Sequence, residues 1–209
     1  MPIEDLINFI LHIDKYLGTI IKSYGPFTYV ILFIIIFLET GLVLTPFLPG
    51  DSLIFVLGTF AAQGTLNILL LFIILSLAAI FGDSVNYYMG SYFGERILSK
   101  SKFFRKDYME KTKDFYIKYG GKTIVLARFI PIIRTFAPFV AGIGKMHYKK
   151  FLIFNIAGGI SWVAIFLFSG YYFGRISFVQ ENLTLILFII IIISFIPPFI
   201  EFIKNRQKN

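Results

Sequence analysis

Five charged side chains stand inside otherwise apolar stretches of this sequence, and their types point to anion and proton chemistry. Glu39 and Asp51 bracket Pro46, Pro49 and Gly50 in "FLETGLVLTPFLPGDSLIF". Arg128 and Arg134 alternate with Pro131 and Pro138 in "ARFIPIIRTFAPFVAG", and Asp83 lies in "FGDSVNYYMGSYFG". Arginine in a membrane-like environment is expensive and demands a reason. A guanidinium is permanently charged, and its planar fork matches phosphate oxygens, so Arg128 and Arg134 are expected to bind substrate. Pro131 and Pro138 free backbone groups and create helix ends that can assist an anion inside a cavity. A carboxylate in low dielectric can take up and release a proton, which makes Glu39, Asp51 and Asp83 the proton-coupling candidates. The structural alternative is that the arginines snorkel to the interface, or that the acids hold them in static pairs. Asp83 has a further alternative, capping or pairing near a helix end. Two acids in one broken segment facing two bases in another favour a site.

The elements that carry these residues follow from composition. The chain has 209 residues, is 57% hydrophobic and 15% charged, and has a mean hydropathy of +0.78. A soluble domain needs more polar surface than that, so an all-α integral membrane protein is expected. Residues 3–24 space their apolar positions as an amphipathic helix at the interface. Residues 26–62 are a first segment broken by Pro46, Pro49 and Gly50, and 66–90 a spanning helix. Residues 95–122 read as a basic cytoplasmic loop with an amphipathic helix near Asp107 to Tyr119. Residues 123–143 are a second broken segment, and 147–173 and 182–203 are spanning helices. All form one membrane domain. The N-terminal residues lack the basic region of a signal peptide.

Charge then orients the chain. The basic residues from Arg96 to Lys113, the cluster Lys145, Lys149 and Lys150, and the tail Lys204, Arg206 and Lys208 share the cytoplasmic side only if 123–143 enters and returns on one face. About 20 residues with two arginines and two prolines make a poor span, which supports a re-entrant hairpin. The C-terminus is then cytoplasmic. The halves also echo each other: Tyr24-Gly25 and Tyr119-Gly120 open the broken segments, while Gly90-Ser91-Tyr92-Phe93-Gly94 and Gly170-Tyr171-Tyr172-Phe173-Gly174 close spanning helices. An inverted repeat is therefore expected, with two re-entrant broken-helix hairpins packed among spanning helices.

The blocks "ET…PFLPGDSLIF", "GDSVNYYMGSYFG" and "ARFIPIIRTFAPFVAG", in this order over roughly residues 20 to 180, resemble the DedA family of bacterial membrane proteins, relatives of the eukaryotic VTT-domain scramblases. The resemblance implies re-entrant hairpins, roles in membrane homeostasis dependent on proton-motive force, and lipid translocation. Undecaprenyl phosphate and phosphatidylethanolamine are the substrates it suggests. The acids and arginines on which the family depends map onto Glu39, Asp51, Arg128 and Arg134.

An enzyme is not expected. Gly50-Asp51-Ser52-Leu53 spells a lipase motif, but neither His12 nor His147 has an aspartate three residues before it, and no metal or phosphate-loop pattern appears. No metal site and no cofactor are expected, and the absence of cysteine excludes thiol chemistry. The net charge of +8 fits cytoplasmic loops on anionic lipid rather than nucleic acid. Gly158-Gly159 reads as helix packing. The expected partners are a phosphate-bearing lipid, protons and membrane lipids in the bacterial cytoplasmic membrane, with a homodimer left open.

Overall fold

The computed structural model describes residues 13–42, 50–100 and 106–182, together with 185, 186 and 189. Every regular element among them is helical: α1 (Ile13–Tyr24), α2 (Thr28–Gly41), α3 (Gly50–Ala62), α4 (Ile68–Lys100), α5 (Lys106–Tyr119), α6 (Thr123–Ala127), α7 (Pro131–Ile143), α8 (Tyr148–Phe173) and α9 (Ser177–Glu181). Most of the span expected at 182–203, the basic tail and residues 3–12 of the expected interfacial helix lie outside the described residues.

Among the described residues, three stretches are long and apolar enough to cross a membrane: Leu17–Gly41, Ile68–Phe93 and Tyr148–Phe173. Their outward faces are greasy. Leu69, Ile73, Leu77, Phe81, Val85, Tyr88 and Tyr92 form one exposed stripe along α4, and Val30, Ile34 and Leu38 do the same on α2. At three- and four-residue spacing these side chains share one helix face. A continuous apolar stripe of that kind suits lipid. α3 and α7 have 13 residues each, about 20 Å of helix, against a hydrocarbon core of about 30 Å.

The boundary expected near residue 25 is a single turn of 3-10 helix, Gly25–Phe27. Its counterpart, Gly120–Lys122, precedes α6. Gly25 has φ 49° and Gly120 φ 57°, left-handed values that glycine adopts without a Cβ penalty. The preceding tyrosines and following threonines have nearly equal dihedrals, and Thr28 and Thr123 are both fully buried. Upstream of the first turn, Leu17 of α1 is 3% exposed and joins the main core, so this helix packs on the bundle through at least one side.

One helix outruns the sequence reading. α4 continues to Lys100, through residues expected to be loop. Residues 95 to 119 contain neither glycine nor proline, so nothing local stops a helix, and α5 forms in the same stretch.

Packing is crosswise. α3 lies on α8, and α7 lies on α4. The two crossings use the same device. A β-carbon on Gly58 would stand 2.2 Å from the Leu167 carbonyl oxygen, and one on Gly170 2.0 Å from that of Phe55. At the other crossing, a β-carbon on Gly90 would stand 2.1 Å from the Phe139 oxygen, and one on Gly142 2.1 Å from that of Tyr87. In all four cases the glycine meets the carbonyl three residues before the partner glycine. Backbones this close gain van der Waals contact where burial from water supplies no drive. Leu32, Ile36, Ile54, Leu57, Leu71, Leu75, Trp162 and Leu167 fill the space between α2, α3, α4 and α8.

Leucine at Gly58 or Gly142 must therefore separate two helices. Each substitution is expected to lower stability by more than the ~1–3 kcal/mol of ordinary overpacking. Leucine at the exposed Ala157 should leave it nearly unchanged. Thermal unfolding in detergent checks this, and equal midpoints for all three variants would contradict the crossing geometry.

Candidate functional site

Both broken segments end at the same polar centre, and proline sets the second one. α6 stops at Arg128, after which Phe129 and Ile130 bond back to Leu126 and Ala127 in a tight turn. Ile130 is extended (φ −122°, ψ 103°), as a residue before proline must be to avoid the ring. Pro131 then opens α7 at the position where a missing N–H matters least. This places Arg134 in the first turn of α7. Pro138, buried further along the helix, has no N–H to offer the Arg134 carbonyl four residues back.

The Arg134 guanidinium forks between two acids from the first broken segment. Its Nη1 donates to Asp51 Oδ1 at 2.8 Å, and its Nη2 donates to Glu39 Oε1. Glu39 comes from the last turn of α2 and Asp51 from the first turn of α3. The Gly50 amide, at the start of α3, donates to Glu39 Oε1 at 3.2 Å, so a helix N-terminus also faces that carboxylate. A β-carbon at position 50 would lie 2.0 Å from Glu39 Oε2, so any larger residue would push that carboxylate out of its present place.

Arg128 is bound differently. Its Nη2 contacts Asp83 Oδ2 at 2.5 Å and donates to Asn155 Oδ1 at 2.6 Å and the Ala79 carbonyl at 3.3 Å. Gly158 and Gly159 on α8 make room for it: a β-carbon on Gly158 would stand 3.1 Å from Arg128 Cδ. The glycine pair thus packs against an arginine side chain.

The sequence reading set two acids against two bases, and the structure distributes them unevenly. Glu39 and Asp51 both go to Arg134, while Arg128 takes Asp83 from α4. The two clusters meet through Trp162, the single tryptophan of the chain. Its Nε1 donates to Asp51 Oδ1 at 2.8 Å. The ring lies 5.2 Å from Arg134 Cζ and 5.9 Å from Arg128 Cζ, near enough for cation–π attraction.

Sequence reasoning missed Trp162, Asn155 and Asn86. Asn86 on α4 donates to the Thr135 carbonyl at 2.8 Å and the Thr40 carbonyl at 3.4 Å, joining α7 to α2. The available signal was the polar or amphipathic residue within a spanning stretch, the same signal that marked Asp83. Ser52 of the lipase-like tetrapeptide is buried in the first turn of α3, and the exposed His147 precedes α8.

Access to the two clusters differs. The Arg134 and Asp51 side chains keep 11% and 12% of their surface, against 4% and 6% for Arg128 and Asp83. Glu39 Oε2 and Arg128 Nε have no hydrogen-bond partner, and buried polar atoms in that state call for an explanation.

The fold and the site together define a class: an all-helical membrane protein with an ion-paired polar centre where broken helices meet. Residues 48–172 match the VTT domain. The chain is 52% identical over 206 residues, 97% of its own length and 94% of the relative's, to Protein DedA of Escherichia coli K12. It is 41% identical to an uncharacterized membrane protein of Mycobacterium leprae, with 80% and 76% of the two chains covered. It is 32% identical to inner membrane protein YqjA of Escherichia coli K12, with 70% and 68% covered. The chain belongs to the DedA family of membrane proteins. No solved structure matches it.

Breaking a buried pair leaves an uncompensated charge, which costs about 3–5 kcal/mol. Asp83→Leu is therefore expected to destabilise strongly, whereas Asp83→Leu with Arg128→Met should recover much of the loss. Unfolding midpoints of the two single variants and the double form a thermodynamic cycle. Strict additivity would show that the two side chains do not interact.

Proposed function

We propose that this protein is a proton-motive-force-linked flippase of the bacterial cytoplasmic membrane. It moves a phosphate-bearing lipid, undecaprenyl phosphate or a phospholipid such as phosphatidylethanolamine, and so supports envelope homeostasis. The observation that carries this reading is the fork of Arg134, buried, paired and still partly accessible. Its two donor edges are held by carboxylate oxygens in the arrangement a phosphate would take. The name of the relative YqjA, an inner membrane protein, supports the location.

Charge balance supplies the coupling. Glu39, Asp51 and Asp83 bring three negative charges when ionised, and Arg128 and Arg134 bring two positive ones. One added proton neutralises the group. A phosphate arriving at Arg134 must displace a carboxylate, and a displaced carboxylate in low dielectric is stable only if it is protonated or paired again. Binding of the anion and uptake of a proton are linked on this account, with Glu39 and Asp51 as the exchanging groups and Asp83 in reserve.

The architecture that permits access is an inverted repeat with two re-entrant hairpins, α2–α3 and α6–α7. Supporting it are the short α3 and α7, the paired turns at Gly25 and Gly120, and the two glycine crossings of like geometry. Broken helices meeting from opposite sides are a transporter plan. With the basic clusters cytoplasmic, cysteines at Lys106 and Lys149 should both be labelled from the cytoplasm and one at Asn182 from outside. Labelling of 106 and 149 from opposite sides would mean that the second hairpin spans.

A second reading is a scaffold without transport, favoured by the fact that both arginines already have carboxylate partners. Reconstituted vesicles with labelled undecaprenyl phosphate or phospholipid separate the two. Arg134→Lys keeps the charge and loses the fork. Flipping should fall by about tenfold or more, the loss of one good charge-assisted contact, while the unfolding midpoint stays close to that of the parent. Glu39→Gln and Asp51→Asn should still bind lipid but lose acceleration by an imposed pH gradient. Unchanged flipping in Arg134→Lys would refute phosphate recognition there. Absence of flipping by the parent protein would favour the scaffold, and chemically altered lipid would indicate an enzyme.

A further inference from the structure

A pocket lies away from the charged centre, where the C-terminal ends of α5 and α7 meet the start of α8. Its volume is about 510 Å³, and its walls include Lys113, Tyr116, Ile117, Val140, Met146 and Lys150. Val140 is six residues past Arg134, about 9 Å further along the helix. Tyr116 forms an inner wall, its hydroxyl donating to the Ala137 carbonyl at 2.9 Å. Burial, with a contribution from the Asp83 carboxylate, pushes that phenol above its ordinary value, so it remains a donor at physiological pH.

The rim and the lining differ in character. Lys113 and Lys150 are exposed, come from different helices, and have no ion-pair partner among the described residues. Ile117, one turn beyond Lys113 on α5, is 84% exposed although its helix is polar overall. Lys145 and Lys149 flank the lining residues in sequence and are also exposed. Two lysines at the mouth of a mainly apolar pocket complement a molecule with an anionic head and a hydrocarbon chain.

We propose that this pocket binds one anionic membrane lipid at a site separate from the Arg134 centre. The phosphate group sits between Lys113 and Lys150, and the upper part of an acyl chain runs over Ile117, Val140 and Met146. The lipid adds to the direct packing of α5 on α7 and ties both to the start of α8.

Photo-crosslinking in nanodiscs tests this, with Ile117→p-benzoylphenylalanine in the full chain and phosphatidylglycerol and phosphatidylcholine at equal mole fraction. Two lysines near a bilayer surface are expected to favour the anionic lipid by about tenfold in crosslink yield. Lys113→Glu with Lys150→Glu should abolish that preference, and the paired arginine substitutions should keep it. If charge reversal prevents folding, the paired glutamine substitutions are read in the same way. Equal yields from the two lipids would reduce the signal to ordinary bilayer contact and overturn the proposal. Competition by excess inorganic phosphate would assign the site to a free anion and overturn the lipid. Loss of the preference in Arg134→Lys would place the signal at the central site and refute a separate pocket.

Discussion

A guanidinium held between two carboxylates in a place with little water governs the arrangement of this protein. Arg134 comes from the second half of the chain, and Glu39 and Asp51 come from the first. None of the three is stable there alone, because an isolated charge in low dielectric carries a desolvation penalty of several kcal/mol. Their mutual attraction is strong for the same reason, since there is little solvent to screen it. The two broken segments must therefore meet, and they must meet at the helix ends where these side chains lie. Proline at 131 and glycine at 50 bring the backbones to that point, the first by ending one helix and beginning another, the second by leaving space for a carboxylate.

Packing elsewhere in the molecule supports that meeting. Close crossing at Gly58 and Gly170, and again at Gly90 and Gly142, fixes each short helix against the long helix of the other half. Trp162 and Asn86 then tie the halves across the centre. Trp162 is well suited to its position: its ring lies within reach of both guanidiniums, and its single N–H satisfies Asp51. Hydrophobic burial contributes less direction here than it would in water, because the outward faces of α2 and α4 are as apolar as the core. Close backbone contact and polar pairing take over that role.

Uneven distribution of the acids has a consequence for mechanism. Arg128 and Asp83 are buried and further held by Asn155 and a main-chain carbonyl, a set of contacts that suits a fixed support. Arg134 and Asp51 keep some surface, and Glu39, though buried, leaves one oxygen without a partner. A site that exchanges ligands needs both properties, a rigid neighbour to hold its shape and a member whose bonds can be traded.

Much of this was legible in the sequence because membranes penalise charge so heavily that each charged residue in apolar chain stands out. Glu39, Asp51, Asp83, Arg128 and Arg134 were all visible on that ground, as were the breaks at Pro131 and Gly25, where local backbone rules apply. The helical class followed from composition, since a lipid-exposed backbone must satisfy its own hydrogen bonds. Three things were decided only by the tertiary structure. The partner of each arginine depends on distance across the bundle, which spacing along the chain does not encode, and so Asp83 proved to belong to Arg128. Trp162, Asn155 and Asn86 are uncharged, so their presence in a span carries little penalty and little signal until their hydrogen-bond partners are known. The continuation of α4 to Lys100 was hidden because charged residues suggest a loop but are also good helix formers, and local sequence does not choose between these outcomes.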